Sequence, residues 1–402
     1  MKETEKSKNP VFGSHDDQTL EQYQNVLMRA KRGALMADGH VGYIMPIGGV
    51  AAYKNKVSPV GVGFDIGCGN MAVKLNQKAG SFDVSGALDI IEDKIVFGLG
   101  GSNPRAPRGD ELFEAPEWEA YPDPGIRSSL KKKAEQQLGT VGSGNHYVDL
   151  FKDEEEYIWI GVHFGSRGLG YQTAKGFMNL SQNKEWNDRF EQQEVLLDLA
   201  TPLGDAYFAA MNLAGRYAWR GREWVCYTLA EAFGADILDE VHNNHNFAWK
   251  EQHDGEELVV VRKGATPAFP GQRGFVGGSM GDTAVILEGV DSEESRSALY
   301  STVHGAGRVM SRTQAKGNYR GRDLSSSAIK PQMIYDWLEK KGVELRGGGL
   351  DEAPQVYRRL DDVLKEHERT IRILHRLQPL GVVMEGPERF TPKRNWGSSV
   401  GK

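Results

Sequence analysis

The sequence predicts an α+β protein built as one interwoven domain, and three observations carry that reading. Short β-branched runs alternate with glycine turns over 48–75 and return at 155–170, 258–269 and 283–289, which reads as strands closed by turns. Apolar residues recur at helical spacing in 327–342 and 353–377. Neither a convincing linker nor a repeat separates the two kinds of segment.

In chain order, residues 1–18 are polar and expected to be mobile, 19–386 form the domain, and 387–402 form a polar, peripheral tail. "GGVAAYKNKVSPVGVGFDIGCGNMAVKL" reads as strands and glycine turns. Residues 101–125 hold five prolines among many charges and predict a long loop. "EEYIWIGVHFGSRGLG" predicts a buried strand that ends in a glycine turn at His163. Residues 185–245 are helix-compatible through "YTLAEAFGADILDEV"; "LVVVRKGATPAF" and "TAVILEG" are strands again. "SAIKPQMIYDWLEKKG" and "APQVYRRLDDVLKEHERTIRILHRL" predict amphipathic helices.

The 402 residues, 39% hydrophobic and 26% charged, suit a soluble globular protein with a sizeable core. No run of about 18 apolar residues predicts a membrane span, and the N-terminal stretch lacks the apolar segment of a signal peptide. Two cysteines, Cys68 and Cys226, make no disulfide framework, so a reducing, cytoplasmic setting is expected. A net charge of −6 argues against coating nucleic acid through global positive charge. A local basic groove stays open, with Arg320, Arg322, Arg346, Arg358 and Arg359 as candidates; "RSSLKKK" reads as a solvated helix face.

The chemistry concentrates at polar residues set in glycine turns or asparagine clusters. Asp65 and Cys68 lie in "GVGFDIGCGNM", His146 in "GTVGSGNHYVDL", His163 in "GVHFGSRGLG" and His245 in "VHNNHNFAWKEQ". A structural cysteine needs no glycine on either side; glycine allows close backbone approach or positive φ. A thiolate, a carboxylate and imidazoles form a mixed ligand set that zinc accepts and that manganese, iron or cobalt also fit. A bridging thiolate would give a two-metal site, which suits phosphoryl chemistry. His304, in "STVHGAGRVMSR", is an imidazole beside Arg308 and Arg312, and imidazole can act as a nucleophile. "GGSMGD" at 277–282 offers backbone N–H groups for phosphate, and "RKGA" at 262–265 offers two cations.

Assembled, "DGHVGYIMPIGGVAA", "VGFDIGCG", "GSGNH", "HFGSRGLG", "HNF" with "KEQ", "RKGA", "GSMG", "HGAGRVMSR" and "DEAPQVY" resemble, in order and over residues 38 to 386, the RtcB family of RNA ligases. That family joins RNA ends with GTP and manganese. The resemblance implies a single RtcB-like domain of mixed sheets, glycine-rich loops and flanking helices around a dinuclear metal site. It implies two Mn²⁺ ions, with Zn²⁺ or Co²⁺ as substitutes, held by Asp65, Cys68, His146, His163 and His245, with Cys68 bridging. His242 is then structural, and His304 is the residue that takes up GMP. Asn145, Asn246, Gly278, Ser279, Met280, Gly305, Ala306 and Gly307 would lie along the nucleotide, with Tyr147, Asp149 and Tyr357 at its base. Arg167 and Arg308 would meet RNA phosphate.

The implied substrates are RNA 3′-phosphate or 2′,3′-cyclic phosphate ends and 5′-hydroxyl ends, in RNA repair or splicing. A monomer, sometimes served by an activating protein, is expected. Two positions depart from the family pattern. "LGVVMEG" carries Met384 and Glu385 where the family commonly has a lysine that reaches guanine, and Asp149 stands where a glutamate is common. Lys393 and Lys402 are the cations left to replace that lysine. A phosphoesterase without ligation, or a non-catalytic RNA- or ribosome-binding homologue, are the competing expectations.

Overall fold

A computed structural model describes residues 8–107, 109–191, 193–317 and 326–392. The fold is a single α+β domain in which two sheets meet at one edge. The larger, nine-stranded sheet runs in the spatial order Ile237–Asn244, Gly69–Lys78, Tyr157–Phe164, Tyr147–Lys152, Ile371–Met384, Ala284–Gly289 and Arg273–Val276. Glu344–Arg346 lies parallel to the far end of Ile371–Met384 and carries Arg389–Phe390 outside it. The smaller sheet has the order Arg32–His40, Ile47–Tyr53, Glu256–Lys263, Asn246–His253.

His245 is the hinge between the two sheets. It separates a strand of the first sheet, Ile237–Asn244, from a strand of the second, Asn246–His253. Its backbone N–H donates to the Cys68 carbonyl at 2.8 Å, which ties the hinge to the glycine turn. Register then gathers the other segments at the same end: Asn70 pairs with His163, and Tyr147 pairs with His163 from the opposite side. Strand burial follows sequence, since the β-branched and aromatic run Ile158–Val162 is buried on both faces. Gly161 sits inside it, under the rings of Phe151 and Phe275, where a side chain would collide.

The 31-residue helix Pro202–Ala232 covers one face of the large sheet. Thr201 starts it by accepting from the Gly204 N–H, with proline at the first helical position. The helix-compatible reading of 185–245 therefore holds only in part. Gly234 takes a φ of +62° just past the last turn, and "ILDEVHNN" becomes an antiparallel partner of Gly69–Lys78. The amphipathic helix read at 353–377 is corrected more strongly. Only Leu360–Lys365 is α-helical, Pro354–Val356 makes one 3-10 turn, and Ile371–Met384 is a 14-residue strand between two others. Pro379 is tolerated because the ladder shifts register there, whereas it would break a helix interior.

Two loop expectations also change. Residues 101–125 contain the 3-10 turns Glu111–Glu114 and Pro116–Ala120, and Leu112, Phe113, Trp118 and Tyr121 are buried. Apolar anchors between the prolines convert the loop into part of the core. The expected mobility of 1–18 does not extend through Phe12, which is buried and stacks on His367 with centroids 4.3 Å apart. No described helix is long and apolar enough to cross a membrane.

Among the described residues, the arginines expected to line a basic groove are engaged by other groups. Arg346 pairs with Glu344 at 2.6 Å, Arg359 with Asp282 at 3.1 Å, and Arg358 points at the Asp38 carbonyl at 3.4 Å. Arg320, Arg322, Lys393 and Lys402 lie outside the described residues. Arg127 pairs with Glu119, and Lys131 with Glu114 at 3.0 Å, as a solvated helix face would.

Candidate metal and nucleotide site

Where the two sheets meet, the fold encloses a cavity of ≈ 510 Å³. Gly67 and Gly69 explain how Cys68 reaches its wall. Gly67 has φ +70°, and a side chain there would come within 2.9 Å of the Gly215 backbone on the long helix. A side chain at Gly69 would collide with the Asn243 carbonyl. Both glycines are required by close backbone approach, as the turn predicted.

The five expected ligands converge. Cys68 Sγ lies 3.2 Å from His163 Nε2 and 3.8 Å from His146 Nε2. His163 Nε2 is 3.3 Å from His245 Nε2, and His146 Nε2 is 3.1 Å from Asp65 Oδ2. Two donor clusters result, Cys68–His163–His245 and Asp65–Cys68–His146, each with its ligand atoms within 4.8 Å of one another. Cys68 belongs to both, which is the position a bridging thiolate occupies.

Second contacts set the tautomers. His146 Nδ1 meets the Val141 carbonyl at 2.9 Å and His163 Nδ1 meets the Asn145 carbonyl at 2.9 Å, so each carries its proton there and turns Nε2 inward. Burial, with the charge of His146 adding, pushes the His163 imidazole down to about 3. Burial likewise holds His245 well below the ordinary range, with His304 and His163 adding. Neutral imidazoles are what a metal requires. Burial raises the Asp65 carboxyl, but the His146 bond and charge outweigh it and the net shift is downward. Burial pushes the Cys68 thiol well up, so this donor loses its proton only against a cation. The buried, converging S, N and O donors fit transition-metal ions.

His304 stands on the same wall, its ring 5.0 Å from that of His245. Asp38, fully buried, holds it: Oδ2 is 2.6 Å from His304 Nδ1 and accepts the backbone N–H groups of His304 and Gly305 at 3.0 and 3.2 Å. Burial raises the Asp38 carboxyl, but the adjacent His304 more than offsets this and the net shift is downward. Nδ1 is buried against that carboxylate, outside hydrogen-bond geometry, and Nε2 is the nitrogen left to react. The role of Asp38 was not anticipated, although it opens the quoted "DGHVGYIMPIGGVAA".

The other expected residues divide. Asn145, Asn246, Gly278, Ser279, Met280, Gly305, Ala306, Gly307, Tyr147, Asp149 and Tyr357 all line the cavity. Arg308 also lines it, but its guanidinium is engaged by Tyr357 Oη at 2.9 Å and the Asp351 carbonyl at 2.7 Å. Arg312 pairs with Glu352 at 2.6 Å and Asp351 at 2.9 Å. Arg167 is not on the cavity wall; it reaches back to Thr140 Oγ1 at 3.2 Å and the Gly98 carbonyl at 3.3 Å. The two cations of "RKGA" face away as well. Arg262 pairs with Glu251 at 2.6 Å, and Lys263 donates to the Tyr43 carbonyl at 2.7 Å, with burial pushing its amine down to about 7.

At one end of the cavity, Tyr147, Asp149, Val382 and Met384 share a sheet face, Asp149 pairing with Val382 and Tyr147 with Met384. Asp149 Oδ1, Tyr147 Oη and Ser279 Oγ are buried there without a hydrogen-bond partner. Unpaired buried polar atoms on a cavity wall are what a polar ligand satisfies. Burial pushes the Asp149 carboxyl well up, against one backbone N–H from Val383.

A paired donor cluster with a shared thiol, beside a carboxylate-held imidazole and a row of unsatisfied polar groups, defines a candidate metallo-phosphotransfer centre. Comparison with known proteins gives it a family. The pattern described as "tRNA-splicing ligase RtcB" matches residues 20–385, and the chain belongs to the RtcB family. It is 30% identical to the tRNA-splicing ligase RtcB of Thermococcus kodakarensis over 91% of both chains. It is 30% identical to the RNA-splicing ligase RtcB of Escherichia coli, over 87% of this chain and 88% of that one. The tRNA-splicing ligase RtcB of Archaeoglobus fulgidus is 32% identical, over 87% of this chain and 86% of its own.

Proposed function

We propose that this protein is an RNA ligase that joins 3′-phosphate or 2′,3′-cyclic phosphate ends to 5′-hydroxyl ends through a histidine–GMP intermediate, in RNA repair or splicing. The observation that carries the reading is His304, held by Asp38 at Nδ1 with Nε2 free beside a two-cluster donor set. Nε2 attacks the α-phosphorus of GTP; a nitrogen–phosphorus bond forms and pyrophosphate leaves. Asp38 stabilises the charge that the ring gains in that step. An oxygen of the RNA 3′-phosphate then takes the GMP, which breaks the bond to Nε2. The RNA 5′-hydroxyl attacks the activated 3′-phosphorus, and GMP departs. A cyclic phosphate is first opened to the 3′-phosphate.

Asp65, Cys68, His146, His163 and His245 would hold two Mn²⁺ ions, with Zn²⁺ or Co²⁺ as substitutes. When bound, the ions supply charge stabilisation at phosphoryl oxygens and lower the pKa of nucleophiles. The Gly278–Met280 turn and Gly305–Gly307 line the path of the nucleotide phosphates, with Asn145 and Asn246. RNA with 3′-phosphate and 5′-hydroxyl ends, mixed with the protein with and without GTP and manganese, should seal only when both are present. Release of end phosphate without sealing or adduct would mark a metal-dependent phosphoesterase instead.

Nucleotide choice is proposed to be altered in this chain. Guanine presents donors at N1 and N2 and an acceptor at O6, so it is read by an acceptor and a donor. Asp149 is raised by burial, and Met384 supplies only a weak acceptor sulfur. Labelled GTP and ATP should form adducts within about tenfold of one another, since the charged donor for guanine O6 is missing at Met384. Met384→Lys should then raise the preference for GTP by roughly 10- to 100-fold, by adding that donor beside the Asp149 carboxyl. A strong, exclusive GMP adduct on the unmutated protein would rule this out.

A further inference from the structure

The long helix Pro202–Ala232 carries an arginine that the proposed chemistry leaves unused. Arg222 is fully buried. Its Nη1 donates to the Gly67 carbonyl at 2.8 Å and to the Phe164 carbonyl at 2.6 Å. Its Nη2 donates to Asn244 Oδ1 at 2.5 Å, and its Nε to His242 Nε2 at 2.8 Å. Three of these acceptors are chain neighbours of expected ligands: Gly67 precedes Cys68, Phe164 follows His163, and Asn244 precedes His245. One planar group therefore touches the three segments that form the Cys68–His163–His245 cluster.

The fourth acceptor is built for the purpose. His242 must present a lone pair at Nε2, and Trp219 stacks on its ring with centroids 3.5 Å apart and 25° between planes. Burial, with the Arg222 charge adding, holds His242 well below its ordinary range and so neutral. Among the described residues no carboxylate forms an ion pair with Arg222. A buried cation without a counter-ion is costly, and carbonyls alone repay it poorly. The titratable groups whose charge would reach this guanidinium are Cys68, Asp65, Cys226 and Glu223.

We propose that Arg222 is the positioning residue of the metal centre, a single guanidinium that sets the spacing of the Cys68, His163 and His245 segments so that their donors converge before an ion arrives. The inference rests on the reading that these three residues hold metal. Lysine cannot replace the group, because one nitrogen cannot span acceptors on three segments in a fixed plane.

Cobalt(II) tests this without any reference to catalysis, since a cysteine ligand gives a sulfur-to-cobalt absorption band in the near ultraviolet. The unmutated protein should take up two Co²⁺ per chain and develop that band. Arg222→Lys should fold, by circular dichroism, yet bind Co²⁺ at least about tenfold more weakly with a shifted or weakened band. Val225→Ala, a fully buried core change on the same helix, should lower the melting temperature and leave Co²⁺ affinity alone. If Arg222→Lys does not fold, Asn244→Ala removes one bond of the clamp and should weaken Co²⁺ by about 3- to 10-fold. Either clamp variant binding with the original affinity and band overturns the proposal. An unmutated protein that binds no Co²⁺ through sulfur removes the metal reading itself, a distinct result.

Discussion

Alanine at position 304 is expected to abolish covalent nucleotide attachment and ligation, with a loss on the order of 10⁴-fold or more. The size follows from the lack of a substitute. His146 and His163 spend Nδ1 on backbone carbonyls and aim Nε2 at Cys68, and His245 faces His163. His40 lines the cavity, but its Nδ1 is against the Asp38 carbonyl, and burial pushes its imidazole down to about 4. Among the described residues, only His304 sets one nitrogen against a carboxylate and leaves the second without a hydrogen-bond partner on the cavity wall. Labelled GTP and a denaturing gel read the adduct, and elemental analysis reads bound manganese. The variant should keep both ions, because His304 belongs to neither donor cluster. Adduct formation that survived the substitution would place the nucleophile elsewhere.

How much of this was legible in the sequence differs between backbone and site. The expected ligands could be found because each is a polar residue in a turn that packing does not require, and Gly67 and Gly69 bear a close-approach demand visible as glycine. The "ILDEVHNN" and "IRILHRLQPLGVV" strands were less legible. Their apolar spacing suits a helix locally, and what decides is a neighbouring strand that only the fold supplies. Cations misled in the same way. Arg262, Lys263 and Arg167 stand near the site in sequence, but their donors are taken up by Glu251, by backbone carbonyls and by Thr140. Arg222 had no local signal, since it lies inside a helix and the Gly67 and Phe164 segments it holds are 155 and 58 residues away.

Cys68→Ala should lose both metal ions, by more than about 100-fold in affinity each, while the fold survives with a cost of about 1 kcal/mol or less. The double loss follows from geometry: Cys68 is the residue common to the two clusters, and without it each keeps two donors. The small fold cost follows from the backbone. The turn is held by the Cys68 N–H on the Asp65 carbonyl at 3.0 Å and by the Cys68 carbonyl under His245 N–H, and neither bond uses sulfur. Manganese stoichiometry and a thermal melt of the metal-free protein separate the two quantities. A cysteine that served only as a small buried hydrophobe would show the opposite pattern, a lowered melting temperature with metal content intact. Cys68→Ser adds a second axis, because it keeps a donor but trades a soft thiolate for a hydroxyl that stays protonated. It should retain less zinc and cobalt than the parent and discriminate least against manganese, whose preference for oxygen donors is greatest of the three. Full occupancy in the alanine variant would mean that the thiol does not bridge, and that Gly67 and Gly69 serve the backbone crossing with Gly215 and Asn243 alone.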